Sequence, residues 1–98
     1  MMKIVWLAYA QRDLVSIAAY YGRNANKEIA AHTLQTIVHS ASLLADHPHL
    51  GSSSASTEGV HEMRVTRLPY VLPYRVIGGH IEILRVFHES QDRPSEWQ

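Results

Sequence analysis

The spacing of hydrophobic positions predicts a strand followed by two helices in the first half of the chain. The run KIVWLAY (3–9) is rich in β-branched and aromatic residues, which favours a strand. From residue 10 the period changes, and four residues fall on one face of a helix: Leu14, Ile17, Ala18 and Tyr21. A second stripe, with steps of four and three, predicts a helix over 27–46: Ala30, Leu34, Ile37, Ala41 and Leu44. The polar turn between them favours an antiparallel helical hairpin.

Period-two patterns predict three strands in the second half, at about 60–66, 70–77 and 80–88. They follow a flexible Ser-rich loop over 51–59. Gly78-Gly79 predicts a two-residue hairpin turn, because glycine readily supplies the positive φ that such turns need. Pro73 cannot donate a ladder hydrogen bond, so we expect a bulge or an unbonded position there.

The last predicted strand is apolar on both faces, which is typical of a central strand. Strict alternation places Ile81, Ile83 and Phe87 on one face and Leu84 and Val86 on the other. The helical hairpin covers one face of the sheet, so we expect the tail or another chain to cover the other.

The element order β-α-α-β-β-β predicts a two-layer α+β fold with a mostly antiparallel sheet. We expect one domain over 1–98, with a frayed tail at 90–98.

Composition narrows the classes of function. The chain has 98 residues and no cysteine, which excludes disulfides and thiolate metal sites. Its formal net charge is zero, which counts against a dedicated nucleic-acid binder. It has no apolar run of the length that a membrane span requires, so we expect no membrane contact.

Basic charge is nevertheless concentrated in the segment that contains the predicted strands. Within 64–85 there are four arginines and one acidic residue, Glu82. The arginines are Arg64, Arg67, Arg75 and Arg85. They could bind phosphate or the carboxylates of a partner, or pair with Glu62 and Glu82 on the surface. Arg85 lies within an apolar strand, so its charge needs a partner or an open edge.

The histidines give two further hypotheses. His88 could act as a general acid or base, or lie at a strand end bonded to a loop. His47 and His49 flank a proline, and His32 and His39 are seven residues apart on the second helix. A structural metal site needs about four convergent ligands, and neither pair extends to that number. We therefore expect no metal site and no cofactor.

Three segments in order carry a family resemblance: PHLG after a long helix, MRVTRLPYVLPYRV, and IEILRVFHESQDRP. Together they resemble the RelE/ParE superfamily of toxins from bacterial type II toxin–antitoxin modules, and the ParE-like branch more than the RelE-like branch. The resemblance implies a cytoplasmic growth inhibitor neutralised by direct binding of a cognate antitoxin, with a toxin–antitoxin hetero-oligomer as a possible assembly.

The two branches imply different targets. ParE-like members act on DNA gyrase, whereas RelE-like members cut messenger RNA on the ribosome. The ribonuclease branch uses a basic middle strand and a terminal tyrosine; here the middle strand begins YVLPY and the last strand ends FHES. We therefore expect gyrase inhibition. The alternatives are a ribosome-dependent endonuclease, with His88, Arg67 and Arg85 as its catalytic residues, or an inactive antitoxin-binding member.

The expected surface for the antitoxin or the target follows from the same residues. Basic side chains lie beside the second, partly apolar face of the last strand, which matches a segment of acidic and apolar character that folds on binding. The expected binding residues are Arg64, Arg67, Arg75, Arg85 and His88.

Overall fold

Two helices lie on one face of a mixed sheet in the structure, a computed structural model that describes residues 1–54 and 57–91. The helices are α1 (Ala8–Asn24) and α2 (Lys27–Ser42), and α2 continues into a 3₁₀ turn, Leu43–Ala45. The strands are β1 (Lys3–Trp6), β2 (Ser52–Ser53), β3 (His61–Arg64), β4 (Tyr70–Ile77), β5 (His80–Ile83) and β6 (Phe87–His88). The predicted α+β order of a strand, two helices and then antiparallel strands is confirmed.

The sheet has the strand order β1-β5-β4-β3-β2, and β6 also pairs with β4. All neighbours are antiparallel except β1 and β5, which run parallel with Ile4 opposite Ile81. The strand predicted at 80–88 is divided in the structure into β5 and β6. β5 is interior, as predicted, because it lies between β4 and the edge strand β1, whereas β6 pairs with β4.

The helix boundaries differ from the prediction by a few residues. The predicted strand 3–9 ends at Trp6, and α1 begins at Ala8 rather than near residue 10. The side chain of Gln11 donates to the Trp6 carbonyl oxygen at 2.8 Å, which stabilises this early start. Asn26 caps α2, since its side-chain oxygen accepts from the Ile29 amide at 2.9 Å. The α-helical part of the second helix ends at Ser42, and the predicted remainder is the 3₁₀ turn.

The main core lies between the helices and the sheet. The two helices pack against each other, as expected for a hairpin with a two-residue connection. Their predicted stripes contribute Ile37, Ala41 and Leu44, with Leu14 and Ile17 partly buried at the edge. The sheet contributes side chains from four segments: Met63, Val65, Leu72, Tyr74, Ile81, Ile83 and Val86.

The predicted glycine turn is confirmed. Gly78 and Gly79 both have positive φ, of 54° and 81°, and Ile77 pairs with His80 across the turn. A right-handed sheet twist favours this type of two-residue turn, which places positive φ at both central positions.

Pro73 coincides with a bulge, as predicted. Tyr74 pairs with Ile83 and Val71 pairs with Phe87, so the two residues of β4 between these pairs oppose three residues, 84–86, of the following segment. The Pro73 carbonyl oxygen accepts from the Leu84 amide at 2.9 Å, but proline has no N–H to return. The regular ladder ends there, and one additional residue fits between β5 and β6.

The bulge makes the predicted alternation of the last strand wrong. Val86 belongs to the main core with Ile81 and Ile83, whereas Leu84 and Phe87 are buried outside it. One inserted residue reverses the phase beyond Leu84, because the side-chain period of a strand is two.

Part of the predicted loop 51–59 is a strand, because Ser52–Ser53 pairs with β3. The Pro-x-Leu-Gly turn is held by Tyr74, whose hydroxyl donates to the Pro48 carbonyl oxygen at 2.9 Å and accepts from the Gly51 amide at 3.0 Å. Of the predicted loop and tail, residues 55–56 and 92–98 lie outside the described residues.

Candidate functional site

A cleft of about 330 Å³ lies between α1 and the end of the last strand. We call it the tyrosine cleft, and its described lining residues are Asp13, Ser16, Ile17, Tyr20, Tyr21, Tyr70, Val86, His88 and Gln91. Helix α1 supplies one wall, and the start of β4 with β6 supplies the other. The bulge helps to form the second wall, since it places Val86 and His88 beside α1.

An ion pair lies next to this cleft and joins its two walls. Asp13 of α1 accepts from Arg85 Nε at 2.8 Å and from Arg85 Nη2 at 2.9 Å. Its Oδ2 atom also accepts from the Val86 backbone amide at 2.8 Å. The Asp13 hydrogen bond is the main cause that raises the pKa of Arg85. The same carboxylate therefore neutralises Arg85 and satisfies an amide that the bulge removes from the ladder.

The histidine of the cleft is held by its own C-terminal turn. His88 Nδ1 accepts from the Ser90 backbone amide at 3.1 Å and contacts the Ser90 hydroxyl at 2.7 Å. An amide can only donate, so Nδ1 carries the lone pair and the ring proton of neutral His88 is on Nε2. The ring contacts Tyr70 edge to face, with 5.6 Å between the centroids. In this arrangement Nε2 is a hydrogen-bond donor and not a base.

Two tyrosines connect the two walls of the cleft. The Tyr70 hydroxyl donates to the Tyr21 hydroxyl at 3.3 Å. Burial, followed by this hydrogen bond, strongly raises the pKa of Tyr70, so its phenol stays neutral. The Tyr20 and Tyr21 rings are almost perpendicular, at 88°, with 5.2 Å between the centroids.

The comparisons with known proteins identify the family. The family model described as ParE toxin of type II toxin-antitoxin system, parDE, matches residues 4–93. The chain belongs to the ParE toxin family. It is also 31% identical to a chain of a solved structure, the chromosomal ParDE TA system from P. aeruginosa, with a TM-score of 0.81. The match covers 90% of this chain and 96% of that one. No curated protein matches the chain.

The predicted relationship to the ParE-like branch is thus confirmed, and the protein is a type II toxin of a toxin–antitoxin module. Of the five side chains predicted to bind a partner, Arg85 and His88 flank the tyrosine cleft of this ParE toxin.

The other three predicted residues lie elsewhere. Arg64 forms an exposed ion pair with Glu89. Arg75 donates to Glu82 at 2.8 Å, and His80 lies 3.2 Å from the same carboxylate; we call these three residues the Glu82 cluster. Arg67 is exposed in the turn between β3 and β4, with a positive φ of 68°, and forms no ion pair within 1–54 and 57–91.

Sequence reasoning missed Asp13, Tyr20 and Tyr70 as parts of this site. Asp13 lies on α1 next to the apolar stripe, and its partner Arg85 is 72 residues away. The adjacent Tyr20 and Tyr21 were a usable signal, because two tyrosines at the end of an amphipathic helix cannot both lie on its buried face.

Metal and membrane sites find no support among the described residues. In the part of the chain that the structure describes, no group of three or more histidine, aspartate or glutamate side chains could hold a metal ion. His49 and His61 do come close, with ring centroids 6.3 Å apart, but no third ligand joins them among these residues. Neither described helix has the length and apolar character that crossing a bilayer requires.

Proposed function

We propose that this ParE-family toxin acts by binding its target and not by cutting RNA. It inhibits DNA gyrase, and direct binding of a co-expressed cognate antitoxin neutralises it. The resemblance to ParE-like members supports the choice of target, and the whole chain 1–98 is proposed as one toxin domain.

The observation that carries the proposal is that two of the three side chains that RNA cleavage would use, Arg85 and His88, are already bound within the chain. Cleavage requires a base near the 2′-hydroxyl and cations for the developing negative charge. The guanidinium of Arg85 is bound by Asp13, and His88 Nδ1 accepts from Ser90. No lysine or arginine is among the described residues that line the tyrosine cleft.

The test compares the two targets directly. Purified toxin is added to gyrase with relaxed plasmid and ATP, and separately to ribosomes programmed with messenger RNA. We expect loss of supercoiling, restored by prior addition of the antitoxin, and an intact message. If the message is cut at codon boundaries and His88→Ala abolishes the cutting, the endonuclease alternative is correct. If neither target is affected although the antitoxin binds, the protein is an inactive antitoxin-binding member.

The residues proposed to contact the antitoxin or the target remain Arg64, Arg67, Arg75, Arg85 and His88. Arg67 is the strongest of them, because a partner carboxylate can bind it without displacing an internal one. We expect Arg67→Ala to weaken antitoxin binding measured by calorimetry, with the fold unchanged. Binding as tight as that of the parent would remove Arg67 from the interface.

A further inference from the structure

The tyrosine cleft has a chemistry that the toxin activity does not explain. We propose that it is a binding site for an organic cation, a guanidinium or alkylammonium group at the end of a flexible chain. This inference goes beyond the proposed gyrase inhibition and does not rest on it.

The ion pair beside the cleft is oriented with its negative end toward the cleft. Asp13 lines the cleft, whereas Arg85 does not. The Arg85 guanidinium lies over the Phe87 ring, 4.5 Å from its centroid, and 5.7 Å from that of Tyr9. Asp13 Oδ2 accepts two hydrogen bonds and Oδ1 accepts one, so Oδ1 keeps a lone pair for a further donor. Arg85 neutralises the net charge, but the dipole of the pair still favours a cation in the cleft.

The aromatic lining supplies the second attraction. Tyr20 and Tyr21 meet at 88°, and Tyr70 and His88 meet at 82°. Perpendicular rings form the corners of a cage, in which a cation can contact the negative face of one ring and the hydroxyl of another. The Tyr20 side chain is about half exposed, so this wall can be reached from solvent.

The same lining disfavours an anion. Phosphate and carboxylate sites use arginine, lysine or clustered amides, and none of the nine described lining residues is an arginine or lysine. The volume of about 330 Å³ accommodates one side-chain-sized group. A neutral planar ring would also stack on tyrosine, but it would leave the spare Asp13 lone pair unused.

The experiment measures amide chemical shifts of the ¹⁵N-labelled full chain during titration with small probes. N-acetyl-arginine methylamide and N-acetyl-lysine methylamide supply the two cations. N-acetyl-citrulline methylamide is the matched neutral control for arginine, and inorganic phosphate and adenosine test the excluded classes. The variants are Tyr20→Ala and Val15→Ala; these residues are 54% and 70% exposed on the same helix, and Val15 lies outside the cleft.

We expect saturable shifts at Ile17, Tyr21 and His88 with at least one cation, with Kd in the millimolar range because the probes are small. Binding should be about fivefold weaker with the citrulline probe and in Tyr20→Ala, and unchanged in Val15→Ala. The proposal is overturned if citrulline binds as tightly as the cations, if only phosphate or adenosine saturates the cleft, or if no probe does. The comparison with citrulline uses the parent chain and is independent of how the variants fold.

Discussion

Replacing Asp13 by alanine should destabilise this toxin more than the loss of an exposed ion pair such as that between Arg64 and Glu89. The change removes three acceptor contacts at once, two from Arg85 and one from the Val86 amide. It leaves Arg85 without its counter-charge and an amide without an acceptor in a residue that is 3% exposed. An orphaned buried amide alone costs about 1–3 kcal/mol.

The partial exposure of the Asp13–Arg85 ion pair determines how much stability its loss should cost. The side chains of Asp13 and Arg85 are 17% and 32% exposed, between the buried and the surface cases. Breaking a buried pair costs about 3–5 kcal/mol, and exposed pairs contribute about 0–1 kcal/mol. We therefore expect Asp13→Ala to lower the free energy of unfolding by about 2–4 kcal/mol. For a domain of this size the melting temperature should fall by about 10–20 °C.

Urea unfolding followed by circular dichroism measures this loss. Glu89→Ala is the matched control, because it removes the exposed pair with Arg64, whose side chains are 42% and 70% exposed. The control should lose no more than about 1 kcal/mol. In an Arg85→Ala background, Asp13→Ala should cost less than it does alone, by more than about 1 kcal/mol. Equal losses of unfolding free energy in Asp13→Ala and Glu89→Ala would show that the Asp13–Arg85 ion pair does not stabilise the contact between α1 and the last strand.

Four further predictions concern the glycines and the Glu82 cluster. Gly51→Ala would bring a Cβ within 2.6 Å of a β3 carbonyl oxygen and should cost about 1–3 kcal/mol in a thermal melt. Gly22→Ala, in α1 with nothing within 4 Å, should instead stabilise by about 0.5–1 kcal/mol. Valine at both Gly78 and Gly79 should cost more than about 1 kcal/mol, and an unchanged melting temperature would argue against the two-residue turn. The hydrogen bond from Arg75 is the main cause that lowers the pKa of Glu82 from its usual 4.5. The charged form of Glu82 therefore stabilises the fold above pH 4.5, and this stability is lost as the pH falls through the lowered pKa. Urea unfolding between about pH 3 and pH 6 should show a smaller acid loss in Glu82→Gln.

The features that were predictable from the sequence are those with local signals. The helical stripes, the Gly78-Gly79 turn and the bulge at Pro73 each depend on residues within a few positions of one another. The phase reversal after Leu84 was not predictable, because the pattern cannot say which strand of a bulged pair contains the additional residue. The parallel position of β1 beside β5 likewise depends on packing between distant parts of the chain.

The candidate site also contains residues that the sequence indicates locally and residues that only the fold brings together. His88 and Arg85 were predicted as site residues because each lies on an apolar strand, where a polar or charged side chain requires a partner or exposure to solvent. Asp13, which neutralises Arg85, gave no local signal in the sequence, because a carboxylate beside the apolar stripe of an amphipathic helix is common. Only the fold brings it to Arg85, since the inserted residue of the bulge turns Val86 and its amide toward α1.

The internal ion pairs of Arg75 and Arg85 limit how much binding free energy these arginines can contribute to a partner protein. Arg75 and Arg85 already bind carboxylates of their own chain, so a partner carboxylate that takes either one must release Glu82 or Asp13 to water. The exchange replaces one charge-assisted bond by another and gains little net free energy, whereas releasing Asp13 also leaves the Val86 amide unsatisfied. If an antitoxin carboxylate contacts either arginine, as proposed above, we therefore expect the contact to orient the antitoxin more than it adds affinity. If the proposed interface is correct, the affinity for the antitoxin should come mainly from apolar surface and from a cation without an internal ion pair. In the described part of the chain Arg67 is such a cation, whereas Arg64, Arg75 and Arg85 are paired.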